Sequence, residues 1–124
     1  MHVKIDTKER FHEFTVLEAE LTANMAVELT TMLAGVLEMP IKNLILNLEN
    51  TKAIDGKLAG AIVDLQTKFY DEHVSFVICG IQSHLEEQLD AAGQLELMNF
   101  TPTLSEAWDI VQMEEIEREL LDGF

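Results

Sequence analysis

The sequence is poor in the residues that mark secreted, fibrous and nucleic-acid-binding proteins. It has one cysteine, Cys79, in 124 residues. A single thiol cannot close an intramolecular disulfide, so a reducing, cytoplasmic setting is expected. Two prolines and six glycines are too few for collagen or a flexible linker. Lysine and arginine total 8 against 23 aspartates and glutamates, a formal net charge of −15. Nucleic acids and anionic membrane surfaces are recognised through basic footprints, so neither is expected as a partner. No apolar run approaches the roughly 20 residues of a membrane span, so no membrane insertion is expected. The opening Met1-His2-Val3-Lys4-Ile5-Asp6 alternates and lacks the apolar core of a secretion signal.

What is present reads as a globular chain. The hydrophobic fraction is 48% and the charged fraction 25%, both ordinary for such a protein. The length predicts one domain over 1–124, with an acidic helical extension at about 112–124.

Hydrophobic periodicity orders the chain. His2–Thr7 alternates, Lys8-Glu9-Arg10 forms a charged turn, and alternation resumes over Phe11–Leu21; together these predict a hairpin. Thr22-Ala23-Asn24 offers capping side chains for an amphipathic helix over about 24–38, which Pro40 stops. Ile41–Glu49 holds Leu44-Ile45-Leu46 and Leu48, the pattern of a strand buried on both faces. Asp55 is a candidate N-cap for a helix over about 56–71, with Leu58, Ile62, Leu65 and Phe69 as its buried stripe. Val74–Cys79 is a further apolar strand ended by Gly80. Ser83-His84-Leu85-Glu86 has the form of a capping box opening a third helix, closed by Ala91-Ala92-Gly93. Leu95–Met98 is a candidate last strand. Thr103-Leu104-Ser105-Glu106 is a second capping box, opening a helix to about Leu121. Helices alternating with apolar strands predict an α/β fold: a mixed, mostly parallel sheet of four to five strands with about four helices, and the first strand antiparallel.

Signals for catalysis are sparse. His2, His12, His73 and His84 are scattered, with no pair at metal-ligand spacing. Gly56-Lys57-Leu58-Ala59-Gly60 is not a phosphate loop, because the lysine lacks both the upstream glycine and the following Ser or Thr. Cys79 reads as a buried core residue, and Glu86-Glu87 and Glu114-Glu115 as solvated helix faces. No cofactor and no metal is expected. One segment stands out: Asn47–Gly56 leaves a buried strand and enters a helix N-terminus. In open α/β sheets, binding sites gather at the carboxyl ends of strands, and a helix start there presents free N–H groups.

At this point the residues resemble the STAS family (sulphate transporter and anti-sigma-factor antagonist) over about 10–112. The family's Gly-Glu-Leu-Asp is matched by Ala19-Glu20-Leu21-Thr22. Its Asp-Leu-Ser and Ile-Asp-Ser-Ser-Gly-Leu-Gly are matched by Asn47-Leu48-Glu49 and by Ile54-Asp55-Gly56-Lys57-Leu58-Ala59-Gly60. Phe76-Val77-Ile78-Cys79-Gly80, Leu89-Asp90-Ala91-Ala92-Gly93 and Thr103-Leu104-Ser105-Glu106-Ala107-Trp108 resemble its later strand, glycine and last-helix motifs. The resemblance implies a non-enzymatic interaction module whose partner is a protein, such as a switch kinase of anti-sigma type. In the family that kinase phosphorylates the serine after the motif aspartate. Here that position is Gly56, the next is Lys57, and the motif glycine is Leu58. The resemblance therefore implies partner binding at Thr51, Asp55, Gly56, Lys57 and Leu58 without the usual acceptor hydroxyl; Thr51, an expected surface residue, is the nearest alternative. A scaffold subunit of a signalling or transport assembly, and a small-ligand protein using a pocket above the strand ends, are the competing readings.

The last helix carries two stripes. Leu104, Ala107, Trp108 and Val111 point together and are expected to dock on the sheet. Met113, Ile116 and Leu120 form a second stripe nearly opposite, rimmed by Glu114, Glu115, Glu117, Glu119 and Asp122. One straight helix cannot bury both, so either it bends near Val111 or it exposes an apolar strip for a second copy or a partner.

Overall fold

The computed structural model describes residues 1–122. Its strands are β1 (Val3–Thr7), β2 (His12–Val16), β3 (Glu20–Leu21), β4 (Leu44–Asn47), β5 (Ala53–Ile54), β6 (Phe76–Cys79) and β7 (Phe100–Thr101). Its helices are α1 (Ala26–Ala34), α2 (Gly56–Asp71), α3 (Ser83–Ala91) and α4 (Leu104–Asp122), with short 3₁₀ turns at Ala23–Met25, Gly35–Glu38 and Leu95–Leu97. Five strands form one sheet in the order β1-β2-β4-β6-β7. β1 pairs antiparallel with β2, and every other pairing in that sheet is parallel. β3 and β5 form a separate two-residue parallel pair.

The apolar runs of β4 and β6 are buried on both faces, as parallel central strands must be. Phe14, Leu44, Leu46, Phe76 and Ile78 point to one side, where they join Leu29 and Leu33 of α1, Leu58, Ile62 and Phe69 of α2, and Leu85 and Leu89 of α3. Ile45, Val77 and Cys79 point to the other side and meet Phe11 with Ala107 and Val111 of α4. Three helices thus cover one face and a single helix the other.

Several expectations change. The alternation of the second strand breaks after Val16, and Leu17 is half exposed. No side chain of Thr22–Asn24 caps a helix; the turn at Ala23–Met25 closes through backbone alone. The Ser83 capping box does not form: Gln82 holds the cap position without a side-chain cap bond, and the Glu86 N–H donates to the Gln82 carbonyl at 2.8 Å. The last strand is Phe100–Thr101, whereas Leu95–Leu97 is a 3₁₀ turn with Leu97 exposed. The second capping box forms by half. Thr103 Oγ1 accepts from the Glu106 N–H at 3.2 Å, but the Glu106 carboxylate takes the Thr101 hydroxyl at 2.6 Å.

α4 shows no break among the described residues, so it leaves its second stripe outside. Met113, Ile116, Leu120 and Leu121 are exposed. Of the first stripe only Ala107 and Val111 reach the sheet; Leu104 and Trp108 stay 36% and 45% exposed. The β1–β2 turn lies beside them, and with Phe11 they line a cavity of about 410 Å³. The acids of α4 are not merely solvated. Tyr70 Oη donates to Glu114 Oε1 at 2.8 Å, Arg10 pairs with Glu115 at 2.7 Å, and Asn43 Nδ2 also donates to Glu115. Burial, aided by the Glu114 carboxylate, holds the Tyr70 phenol well above its usual range. The expected extension at 112–124 is the continuous second half of α4 as far as Asp122; its last two residues lie outside the described residues.

Candidate functional site

The segment between β4 and α2 is held by side-chain and main-chain hydrogen bonds along its length. It begins with a side-chain turn: Asn47, buried at the end of β4, accepts the Glu49 N–H on Oδ1 at 3.0 Å. Its amide donates to the buried Glu13 carboxylate at 3.2 Å, which also accepts the Thr15 hydroxyl at 3.3 Å. Gly80 packs against that turn with φ at +76°; a β-carbon there would lie 2.6 Å from Asn47 Oδ1 and 3.0 Å from the Glu49 nitrogen. Only glycine meets both demands, left-handed backbone and contact with the neighbouring chain.

The middle of the segment is sewn to the β2–β3 connection. Lys52 N–H donates to the Ala19 carbonyl at 2.7 Å and Asp55 N–H to the Leu21 carbonyl at 2.8 Å. Thr51 is completely buried, and its hydroxyl donates to the Glu18 carbonyl at 3.0 Å. The surface position expected for Thr51 is therefore corrected: the side chain holds two loops together from within.

Asp55 caps α2 as expected. One carboxylate oxygen accepts the Lys57 N–H at 2.9 Å and the Leu58 N–H at 3.4 Å, and the Asp55 carbonyl receives the Ala59 N–H at 2.9 Å. These bonds satisfy donors that every helix start leaves free, and the negative charge meets the positive end of the helix dipole. Gly56 and Lys57 are exposed, Asp55 is partly exposed, and Leu58 is buried beneath them. A side chain at Gly56 would meet nothing within 4 Å.

Three residues not singled out from the sequence hold this segment from outside. Gln82 Nε2 donates to the Glu49 carbonyl at 2.7 Å, Gln88 Nε2 to the Ile54 carbonyl at 2.9 Å, and Gln94 Nε2 to the Gly56 carbonyl at 2.8 Å. All three come from α3 and its flanks, so that helix braces the loop. Their even spacing is the only trace in the sequence, and it names no partner.

Among the described residues no three His, Cys, Asp or Glu side chains stand together as metal ligands. Burial, with the charges of Glu13 and Glu49, pushes the Cys79 thiol up to about 12, far from a reactive thiolate. Two hollows of the surface lie elsewhere, one beside Trp108 and a polar one of about 560 Å³ around Arg10, Asn43, His73 and Arg118; no residue of 47–58 lines either.

The STAS domain model matches residues 4–107, and the chain belongs to this family. No curated protein matches the sequence. Solved structures with the same fold include an anti-sigma factor antagonist from Mycobacterium paratuberculosis, 13% identical with a TM-score of 0.72, covering 90% of this chain and 93% of that one. The anti-sigma factor antagonist SpoIIAA in its unphosphorylated form is also 13% identical, with a TM-score of 0.69 and coverage of 90% and 96%. A sulfate transporter family protein from Wolinella succinogenes is 15% identical, with a TM-score of 0.65 and coverage of 88% and 90%. At these identities the likeness is one of fold. Among the described residues no helix is long and apolar enough to cross a membrane.

Proposed function

We propose that the chain is a non-enzymatic protein-docking module that works in the manner of an anti-sigma-factor antagonist but without a serine phospho-switch. The observation that carries the reading is the start of α2. Asp55, at the position of the family's motif aspartate, caps α2, and the next position, where the resemblance places the acceptor serine, is the exposed Gly56. Asp55, Gly56 and Lys57 form the outer surface for the partner; Thr51 and Leu58 support it from below. The partner class is a protein of switch-kinase or anti-sigma type. The setting is bacterial signalling in the cytoplasm.

The exposed strip of Met113, Ile116 and Leu120 supplies a second contact surface. It supports the scaffold reading, in which the module is a subunit of a larger signalling or transport assembly.

Affinity capture from native lysate followed by mass spectrometry tests the first reading. A specific protein partner should be recovered with the native chain and lost with Lys57→Glu, which keeps the fold because an acid in the first turn of α2 favours the helix. Incubation of the recovered kinase with the chain should yield no phosphopeptide from residues 53–68. Recovery that Lys57→Glu leaves intact, or phosphate within 53–68, overturns the reading.

A further inference from the structure

β1 is an edge of the sheet whose outward hydrogen-bonding groups fit those of a second copy of itself in one register. Its only strand neighbour among the described residues is β2. The phase of that pairing is fixed at both ends: Leu17 N–H donates to the His2 carbonyl at 2.9 Å, and Lys8 N–H to the Phe11 carbonyl at 2.8 Å. In an antiparallel ladder hydrogen-bonded and non-hydrogen-bonded pairs alternate. Lys4 and Asp6 therefore spend their backbone groups on β2, and the His2 carbonyl and the Lys8 N–H spend theirs on its flanks, while the His2 N–H donates to the Glu18 carboxylate at 2.8 Å. Val3, Ile5 and Thr7 turn theirs outward, away from the sheet.

An antiparallel second copy in phase with these groups has three ways to pair more than one outward residue about a two-fold axis. Centring on residue 4 sets Lys4 against Lys4, and centring on residue 6 sets Asp6 against Asp6; like charges directly opposite are unfavourable. Centring on residue 5 sets Ile5 against Ile5, Val3 against Thr7, and Lys4 against Asp6 twice. That arrangement makes six backbone hydrogen bonds, two opposite-charge pairs and one apolar contact. The side chains it needs are free to serve. Ile5 is 49% exposed, and Lys4 and Asp6, which form an ion pair at 3.7 Å within one copy, keep their side chains 66% and 39% exposed.

We infer that the β1 edge is a self-association surface, joining two copies into one continuous sheet through an antiparallel β1–β1 pairing centred on Ile5. A two-fold operator makes such a contact self-limiting, so it closes at the dimer. The net charge of −15 on each copy opposes the encounter at a distance. Association should therefore be read at about 0.15 M salt, where the screening length is about 8 Å.

Sedimentation and light scattering over micromolar to millimolar protein should show a reversible monomer–dimer equilibrium. Lys4→Asp places acids opposite one another at both pairs, so association should weaken about tenfold. The double variant Lys4→Asp/Asp6→Lys exchanges the charges and should restore it. Ile5→Cys should be trapped as a linked dimer by a short thiol-to-thiol cross-linker, because facing residues of a hydrogen-bonded pair have Cα atoms about 5.5 Å apart. Thr7→Cys, which faces Val3 of the other copy, should not be trapped. The native Cys79 is fully buried and stays out of the reaction. A native chain that is monomeric throughout, a dimer indifferent to Lys4→Asp, a double variant that does not recover, or equal trapping at 5 and 7 overturns the inference.

Discussion

Ile45 and Leu46 are neighbours on β4 and both are wholly buried, yet they look into different surroundings. Leu46 faces α1, α2 and α3 and joins a cluster that runs without interruption from Phe14 to Met98. Ile45 faces α4, in a small cluster with Phe11, Val77, Cys79, Ala107 and Val111. Further along the same face the buried groups are polar: Glu13, Thr15 and Asn47. One face of the sheet therefore supplies most of the stability. The other carries the polar contacts that shape the Asn47–Gly56 loop, because Asn47 is rooted there and turns the chain at Glu49.

The sharpest way to break the comparison is to delete the same volume on each side. Leu→Ala and Ile→Ala in a core cost about 2–5 kcal/mol, more where the surroundings cannot collapse. Leu46→Ala should fall at the upper end of that span. Ile45→Ala should fall at the lower end, since one helix settles more easily than three. Denaturant midpoints measure both, and equal losses would show that α4 is held as rigidly as the three-helix layer.

Next in size is Gly80→Ala. It adds backbone strain at φ +76° and pushes a methyl into Asn47 Oδ1 and the Glu49 nitrogen. Strain of this kind costs about 1–3 kcal/mol. Because the pressure falls on the Asn47 turn, amide exchange should quicken at Glu49 and Thr51 before it does in α1. Uniform quickening would mean that the loop and the three-helix layer open together.

Asp55→Ala removes the cap of α2 and should lower stability by about 0.5–2 kcal/mol, read from thermal or urea unfolding. Asp55→Asn keeps an acceptor and should recover most of the loss. A smaller effect still is expected on α4. Ile116→Ser with Leu120→Ser lies outside both clusters and should shift stability by no more than about 0.5 kcal/mol. A larger drop would mean that the strip already packs on the domain.

Much of this architecture is legible in the sequence, for local reasons. The apolar runs of β4 and β6 and the stripe of α2 follow from periodicity, and Asp55 caps α2 because a carboxylate before a helix start has nearby donors whatever surrounds it. The errors fall where a distant residue decides. Thr51 reads as a surface loop residue until the Glu18 carbonyl, 33 positions away, claims its hydroxyl. Glu115 reads as solvated until Arg10, 105 positions away, pairs with it. The Ser83 signature loses to Gln82, whose side chain is drawn to the Glu49 carbonyl. Gln66, which the periodicity does not mark, is buried beside the α2 stripe and donates to the Phe76 and Asn99 carbonyls at 3.0 Å each. Nothing within a few residues of these positions announces the partner.

The three glutamine contacts have a bearing on how this surface can be rewritten. Gln82, Gln88 and Gln94 grip carbonyl oxygens, which every residue type carries alike. The shape of the segment is therefore specified by main chain and by the inward side chains of Asn47, Thr51 and Asp55, while the outward side chains at 52, 56 and 57 write its text. A combinatorial library confined to those three positions should keep the frame and vary only what is displayed, which makes this segment a ready-made scaffold for selecting new binders.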